Sequence, residues 1–573
     1  MATRRKTTGK STKMTGSEII CRVLEEEGVD ILFGIPGGQV IPLYDEFYRA
    51  VEAGKLRNIL TRHEQGAAHM ADGYARATGK VGVCVATSGP GALNLVTGLA
   101  TANLDSVPMV AITGQVKTEV IGKDAFQEAD IRGVTTPVTK HNYLVKNVDD
   151  LGDVLREAFH LARSGRPGAV LVDVPSDLQL QPGRLSERHE TVLRGYSPPS
   201  VGDPALLRQA AELIKSAQRP VLYVGGGIIG SGASEALRKL ADKTGIPVTH
   251  TLMGKGAYPE THHLSLGMPG MHGTAYASRA LHYADLVLAV GVRFDDRVTG
   301  DVNKFAQQAA IVHIDVDPAE LNKIVRPHVA IAADARLALE ALLPLVRKLD
   351  LHVWMMEIDK WRKQAPMRYP TPKDQIAPQF VIEELWRVTS GDALVTTEVG
   401  QNQMWAAQYY PVDRPRQFLT SGGMGTMGWG FPAAIGAQFG CPDQVVWDIA
   451  GDGSIQMNIQ ELATATQHKL PVKVAILNNG VLGMVRQWQT LFYGNRLSGT
   501  ILRDGNPDFA AVARAYGAEG ITVRDLDQLR PALERAMEIN DRPVFVDIAV
   551  WPDANVMPMI PGGKSVEDLI MEA

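Results

Sequence analysis

Cysteine is scarce in this chain: Cys21, Cys84 and Cys441 are the only three in 573 residues, and no two have CxxC spacing. That excludes a disulfide framework and a zinc ribbon, and the three read as reduced, mostly buried thiols of a cytoplasmic compartment. No apolar run is long enough to span a bilayer, so no membrane association is expected. Neither sign of charge dominates, with 58 Lys and Arg against 63 Asp and Glu, which gives nucleic acid no electrostatic footprint. Low-complexity tracts are absent. The opening MATRRKTTGKSTKM has no apolar core of the kind a secretory leader needs. Residues 1–14 are therefore expected to be a flexible basic tail, with an organellar targeting remnant as the other reading.

What remains is ordinary globular composition, 45% hydrophobic, in a chain too long for one core. Residues 15–185 alternate strand-like runs, Gly-rich turns and helix-like segments: TGSEIICRVLEEEG, VDILFGIPGG, then NILT ending at His63-Glu64, then VGVCVATSGPGALN. Such alternation predicts a doubly wound parallel α/β domain. SERHETVLRGYSPPSVGDP reads as a linker. Residues 200–350 repeat the rhythm, opening with PVLYV and the turn Gly225-Gly226-Gly227-Ile228-Ile229-Gly230. The turn matches G-x-G-x-x-G, yet the following IPVTHT lacks an acid for a ribose hydroxyl, so a nicotinamide site is poorly supported. Asp315, ending AIVHID, suits a ribose or adenine, and several loops converging on one edge suggest an elongated dinucleotide. After a Pro-broken linker, residues 375–573 form a third α/β domain. The shared rhythm of the first and third domains is consistent with duplication.

One stretch of the third domain carries chemistry. VVWDIA leads into Gly451-Asp452-Gly453, NIQELATATQHK follows as an amphipathic helix, and VKVAIL ends at Asn478-Asn479. As one βαβ unit, this puts Asp452 and Asn479 at the carboxyl ends of two strands of the same sheet, where open α/β sheets bind ligands. A carboxylate and an amide oxygen are hard ligands suited to Mg²⁺, which is usually completed by phosphate oxygens. The glycines admit a phosphate to the main chain, and the following helix offers a positive N-terminus. Taken singly, GDG is a turn and NN a loop. Taken together, each after a strand, they resemble the thiamine diphosphate fingerprint.

Beyond that fingerprint, IPGG, RHEQGAAHMADGYAR, SGPGALN, ITGQV, DAFQEAD, GVRFDDRVTG, GGMGTMGWG and LGMVRQWQ followed by FYG resemble the catalytic subunits of the acetohydroxyacid synthase (acetolactate synthase) family, from about residue 15 onward. The resemblance implies three domains: pyrimidine-binding, FAD-binding and diphosphate-binding. It also implies that pyruvate is decarboxylated and its two-carbon unit joined to a second pyruvate or to 2-ketobutyrate, toward branched-chain amino acids. Thiamine diphosphate, Mg²⁺ and FAD are the implied cofactors, FAD without net redox. A homodimer or homotetramer is implied, with active sites between subunits, and a separate regulatory small subunit is a further implied partner.

Residue by residue, Glu64 resembles the glutamate that stabilises the imino tautomer of the aminopyrimidine, reaching it from the neighbouring subunit; alone it is a glutamate favoured by a helix start. Met427 resembles the wedge that bends the cofactor, though a core methionine is the plain reading. Gly425 is expected at the 4′-amino group. Gly37, Gly453 and Met484 should lie along the cofactor, and Gln401, Asn402 and Ser454 toward its diphosphate. Asp452, Asn479 and the Val481 carbonyl should hold Mg²⁺. Arg297 resembles the arginine that receives the second ketoacid's carboxylate; its plain reading is a surface pair with Asp295 or Asp296. Trp488 resembles the wall that selects 2-ketobutyrate, and Phe126 and Gln127 should border that pocket. The flavin is expected on Arg166, Gly226, Thr251, Leu252, Met271, His272, Gly291, Arg293, Asp315 and Asp334.

Three departures stand out: Ser176 where a lysine is expected, Asn402 where histidine is expected, and a bulky Trp429 and Phe431 after the wedge. The rival readings are another thiamine enzyme, such as a pyruvate oxidase, glyoxylate carboligase or sulfoacetaldehyde acetyltransferase, and a non-catalytic paralogue. The carboligase lacks the glutamate present here as Glu64, and intact Glu64, Asp452 and Asn479 argue against a paralogue.

Overall fold

The computed structural model describes residues 13–188 and 190–572. The chain divides into two compact units, Met1–Ser197 and Pro198–Ala573.

The first unit is built on six parallel strands: β1 (Ile31–Gly34), β2 (Arg57–Leu60), β3 (Gly82–Ala86), β4 (Met109–Gln115), β5 (His141–Leu144) and β6 (Ala169–Pro175), in the order β2-β1-β3-β4-β6-β5. GVCVA, MVAITGQ and AVLVDVP are buried along their whole length. Helices on both faces of a parallel sheet demand that continuous apolar pattern. Helix α1 (Glu64–Thr78) starts where the His63 ring accepts the Gln65 N–H and stops at Gly79, φ +77°. It is buried from Gly66 through Arg76, which is why it is written in alanine and glycine.

One expectation for this unit changes. Lys13 and Met14 do not belong to a loose tail: Lys13–Thr15 pairs antiparallel with Pro182–Arg184. The next helix, Gly16–Glu26, is capped by Thr15 in a capping box with Glu18, because both side chains there can satisfy free N–H groups. The rest of the tail, residues 1–12, lies outside the described residues.

The second unit carries two sheets. Five parallel strands, β7 (Pro220–Val224), β8 (Val248–His250), β9 (Leu286–Val290), β10 (Ala310–Asp315) and β11 (Val329–Ala332), run β8-β7-β9-β10-β11. Six more, β12 (Leu394–Thr397), β13 (Phe418–Thr420), β14 (Val446–Gly451), β15 (Lys473–Asn478), β16 (Glu519–Val523) and β17 (Val544–Ala549), run β13-β12-β14-β15-β17-β16. Renumbered from its own first strand, this order is identical to that of the first unit. The repeated rhythm of the sequence thus has a topological counterpart. Among the described residues no helix is long and apolar enough to cross a membrane.

The segment expected as one helix, 458–469, opens as a 3₁₀ turn Ile459–Glu461 and is α-helical over Leu462–Gln467, and a separate short helix Asp452–Ile455 precedes it. Asn458 stands at the break between them. Its buried amide donates to the Gly428 carbonyl at 2.7 Å and accepts from Gln460 at 3.0 Å, competing with the helical ladder.

Close packing of sheet on helix has one sharp test. A Cβ at Gly82 would sit 2.1 Å from the Ala71 carbonyl oxygen of α1. Gly82→Ala is expected to destabilise the first unit by about 1–3 kcal/mol through overpacking, read as a lowered urea midpoint; an unchanged midpoint would show that α1 does not hold its place.

Candidate active site

In the third sheet the chain passes from β12 outward to β13 and returns across to β14. Such a switch point opens a crevice at the strands' carboxyl ends. The residues after β12, after β14 and after β15 meet there: Gly400–Asn402, Gly451–Ser454, and Asn479 with Val481–Gly483 line a cleft of about 330 Å³ together with Met427 and Trp405. Helix α2 (Gln401–Tyr409) begins at this cleft, and so does α4 (Gly483–Phe492). Their unpaired N–H groups give the cleft a preference for anions.

Asp452 and Asn479 converge as the βαβ reading requires. Burial pushes the Asp452 carboxyl up to about 6, opposed by hydrogen bonds from Asn506 and from the N–H groups of Asn479 and Gly480. Asn506 Nδ2 donates to Asp452 Oδ2 at 2.6 Å, and Asn479 Oδ1 accepts the Val481 N–H at 3.1 Å. A buried carboxylate beside an amide oxygen fits a hard divalent ion, which would still need oxygens from a phosphate.

The side-chain donors expected at the diphosphate are otherwise engaged. Asn402 Nδ2 donates to the carbonyls of Glu398 and Ile449 at 3.0 and 2.8 Å. Gln401 Nε2 donates to Gln487 Oε1 and the Ala554 carbonyl, both at 2.9 Å. Ser454 Oγ donates to Glu398. The donors left over in the cleft are main-chain N–H groups and the buried Trp405 Nε1, which has no partner. A Cβ at Gly483 would lie 2.1 Å from Gln401 Oε1, so a larger residue there must displace that amide.

Met427 sits half-buried at the rim, between Gly425 at φ +63° and Gly428 at φ +81°. Those two conformations make the wedge loop a glycine loop. The bulky residues behind it do not fill the cleft. Trp429 and Phe431 are fully buried, Phe431 edge-on to Phe545 at 5.3 Å. Met484, in the first turn of α4, is half-buried.

At the carboxyl edge of the first sheet, Glu64 opens α1, where Asn94 Nδ2 donates to its Oε2 at 3.0 Å. A Cβ at Gly91 would lie 3.2 Å from Glu64 Oε1, so the SGPG turn leaves that oxygen room. Gly37 packs on Thr87, and Gly89 on the Gln127 carbonyl, where a side chain would clash at 2.6 Å in both cases. Gln127 holds φ +61°, and neighbouring Phe126 is 85% exposed. Ser176 is buried at the start of a short helix after β6. Arg166 Nε donates to Ser106 Oγ at 2.9 Å.

The central sheet's loops also gather at one edge. Gly225 and Gly227 are explained by the chain itself: a Cβ at either would strike Gly291, at 2.2 and 2.6 Å. At Gly226 the nearest neighbour is Met253 Cβ, at 3.3 Å. Thr251 caps the Leu252–Gly254 turn, Asp315 accepts the Asp317 N–H, and Asp334 caps the helix Ala335–Leu342. Arg293 pairs with Asp295 at 2.8 Å. Arg297 pairs with Asp296 at 3.1 Å, both largely exposed. His272 is the informative residue here. It is buried, and its Nε2 has no partner. A buried polar atom left unpaired points to a group that would satisfy it. Met271 Cε and the Trp488 ring both come within 4 Å of a Cβ at Gly562, so the 560–562 tail, Met271 and Trp488 form one wall. Trp488 also stacks edge-on with Phe492 at 5.3 Å.

Residues 14–134, 207–342 and 398–548 match the N-terminal TPP binding, central and C-terminal TPP binding domains of the thiamine pyrophosphate enzymes. The chain is 52% identical to the acetolactate synthase large subunit of Corynebacterium glutamicum, over 97% of this chain and 90% of that one. It is 46% identical to the isozyme 3 large subunit of Escherichia coli, over 97% and 98%, and 49% identical to the chloroplastic acetolactate synthase 1 of Nicotiana tabacum, over 97% and 85%. The chain belongs to the acetolactate synthase family. It is a thiamine-diphosphate-dependent enzyme.

For a member of the acetolactate synthase family, two acids in the site carried too little signal to be singled out. Glu398, in TTEVGQNQ, and Asp448, in the strand VVWDIA, are both fully buried beneath the cleft. An acid in the middle of an apolar strand was the available clue for Asp448. Asn506, which braces Asp452, lies far along the chain in an unremarkable loop.

His272 generates a pH dependence. Burial, and then the nearby Arg297, pull its imidazole down to about 4. Because the folded value lies below that of the unfolded chain, stability is full above about pH 6.5 and falls as pH drops from there toward 4, by about 1.4 kcal/mol per unit. His272→Gln is expected to lose less urea resistance than wild type between pH 6.5 and 5; equal losses would contradict a neutral buried imidazole.

Proposed function

We propose that the chain makes acetolactate, decarboxylating pyruvate and joining the two-carbon fragment to a second pyruvate or to 2-ketobutyrate, in branched-chain amino-acid biosynthesis in the cytoplasm. The observation that carries the reading is the convergence of Asp452 and Asn479 at a switch-point cleft, in a chain about half identical to acetolactate synthases over nearly all its length. Mg²⁺ would be held by Asp452, Asn479 and the Val481 carbonyl. The diphosphate would lie on the first turns of α2 and α4 and the glycines around 453, with Gln401, Asn402, Ser454 and Met484 shaping the walls. Bound thiamine diphosphate supplies a nucleophilic carbon and an electron sink for the carboxylate carbon lost as CO₂.

The chain's own residues do the rest. Glu64 exchanges a proton with the aminopyrimidine ring, and its Oε1 has the open side for that contact. Met427 would act as the wedge against the cofactor, and the Gly425 carbonyl would hold its 4′-amino group. Arg297 can leave Asp296 for a ketoacid carboxylate at little cost, because an exposed pair is worth about 0–1 kcal/mol. Trp488 bounds the acceptor, with Gln127 beside the reacting carbon. FAD would meet the unpaired His272 Nε2 and the loops at Gly226, Thr251, Leu252, Met271, Gly291, Arg293, Asp315 and Asp334. We infer a homo-oligomer of at least two copies, Glu64 of one serving the cofactor of the other, and association with a small regulatory subunit.

Product analysis tests the whole. Purified chain with pyruvate, thiamine diphosphate, Mg²⁺ and FAD is expected to yield acetolactate without consuming oxygen; stoichiometric oxygen uptake would instead mark an oxidase. Glu64→Gln is expected to retain thiamine diphosphate while turnover falls about 100-fold or more, and near-normal turnover would reject the proton role. Trp488→Leu should lower the 2-ketobutyrate preference, within the about 1–3 kcal/mol a methylene contact allows; a competition assay with an unchanged product ratio would exclude that role.

A further inference from the structure

Below the cleft, Glu398 makes contacts that no sheet requires. It follows β12 directly and is wholly buried. Its Oε1 accepts the Phe431 N–H at 3.0 Å, in the first turn of helix α3 (Gly430–Gly440). Its Oε2 accepts the Gly428 N–H at 2.8 Å and the Ser454 hydroxyl. Gly428 follows Met427, and Ser454 follows Asp452-Gly453. One carboxylate therefore ties the wedge loop to the turn expected to hold the metal and diphosphate.

Asp448 stands next to it. Thr396 and Asp448 are register partners on β12 and β14, and Thr396 Oγ1 donates to Asp448 Oδ1 at 3.0 Å. Asp448 Oδ2 is buried with no partner. A Cβ at Gly430 would strike both Asp448 Oδ1 and the Glu398 main chain, at 2.5 and 2.6 Å, so both acids pack on that glycine. Two buried carboxyl groups that feel each other's charge favour one charge between them over two. The N–H donors all face Glu398, and Asp448 receives one hydroxyl. Burial raises both acids, and the charge on Glu398 raises Asp448 further, to well above the usual carboxylate range.

We propose that Glu398 is a positioning residue for thiamine diphosphate capture, its carboxylate locking the Met427 loop to the Asp452–Ser454 turn. The inference rests on the thiamine reading and adds an element to it. A glutamine at 398 must aim its nitrogen at N–H groups on one side, losing either the Phe431 N–H at the end of the wedge loop or the oxygen that Gly428 and Ser454 share. An asparagine at 448 is the isostere of a neutral acid and disturbs little.

The test is thiamine diphosphate binding to the purified full chain with Mg²⁺ and FAD, read as tryptophan fluorescence, beside kcat at saturating cofactor. Glu398→Gln is expected to raise the half-saturating thiamine diphosphate concentration tenfold or more; Asp448→Asn is expected to shift it less than threefold. A merely structural role would lower the melting temperature of both variants without that asymmetry. Equal binding by wild type and Glu398→Gln, or an equal loss in both variants, would overturn the proposal alone. Wild type that fails to bind thiamine diphosphate would overturn the functional reading with it. If Glu398→Gln does not fold, Glu398→Asp carries the test: it keeps the charge one methylene short of Gly428 and Phe431, and undiminished binding would overturn the proposal.

Discussion

Three carboxyl groups buried in and just beyond one sheet, none paired with lysine or arginine among the described residues, govern the third domain. An ionised carboxylate in a dry site is costly unless something answers it. Each of the three is answered differently. Asp448 keeps a proton, Glu398 takes the N–H groups at a helix start, and Asp452 keeps only amide partners and so remains open to a cation. The site's electrostatics are this division of labour.

The central domain shows the opposite solution. Glu260 is largely enclosed, and burial alone would raise it, yet Lys255 and then His250 hold it down to about 2. Lys255 also donates to the Ala407 carbonyl at 3.0 Å, and the Val412 N–H donates to Glu260 at 2.8 Å. Every partner is found within the chain, so this cluster is a clasp between segments with nothing left to offer a ligand. Unanswered charge marks chemistry here, and answered charge marks architecture.

The alternating strands and Gly-rich turns were legible because parallel sheets covered on both faces need unbroken apolar runs bounded by turn residues. Asp452 and Asn479 were legible for the same reason: each ends such a run. The hydrogen-bond economy was not. Nothing in the string QNQ reveals that Asn402 gives both amide hydrogens to carbonyls of Glu398 and Ile449, nor that Gln401 reaches Gln487 and Ala554. Those partners are distant in sequence and meet only once the sheet is assembled. The 3₁₀ opening of the helix after Asp452 escaped because Asn458 answers a carbonyl thirty residues away, an interaction no local periodicity carries. The tail was drawn two residues too long because an isolated strand of three residues has no pattern of its own.

The committed amides of Gln401 and Asn402 have a wider consequence. A pocket that recognises its anion through peptide groups is indifferent to the identity of many residues around it, since every amino acid but proline brings the same N–H. Gly453 and Gly483 narrow that freedom, since a Cβ at either would meet the Leu482 or Gln401 side chain, at 2.7 and 2.1 Å.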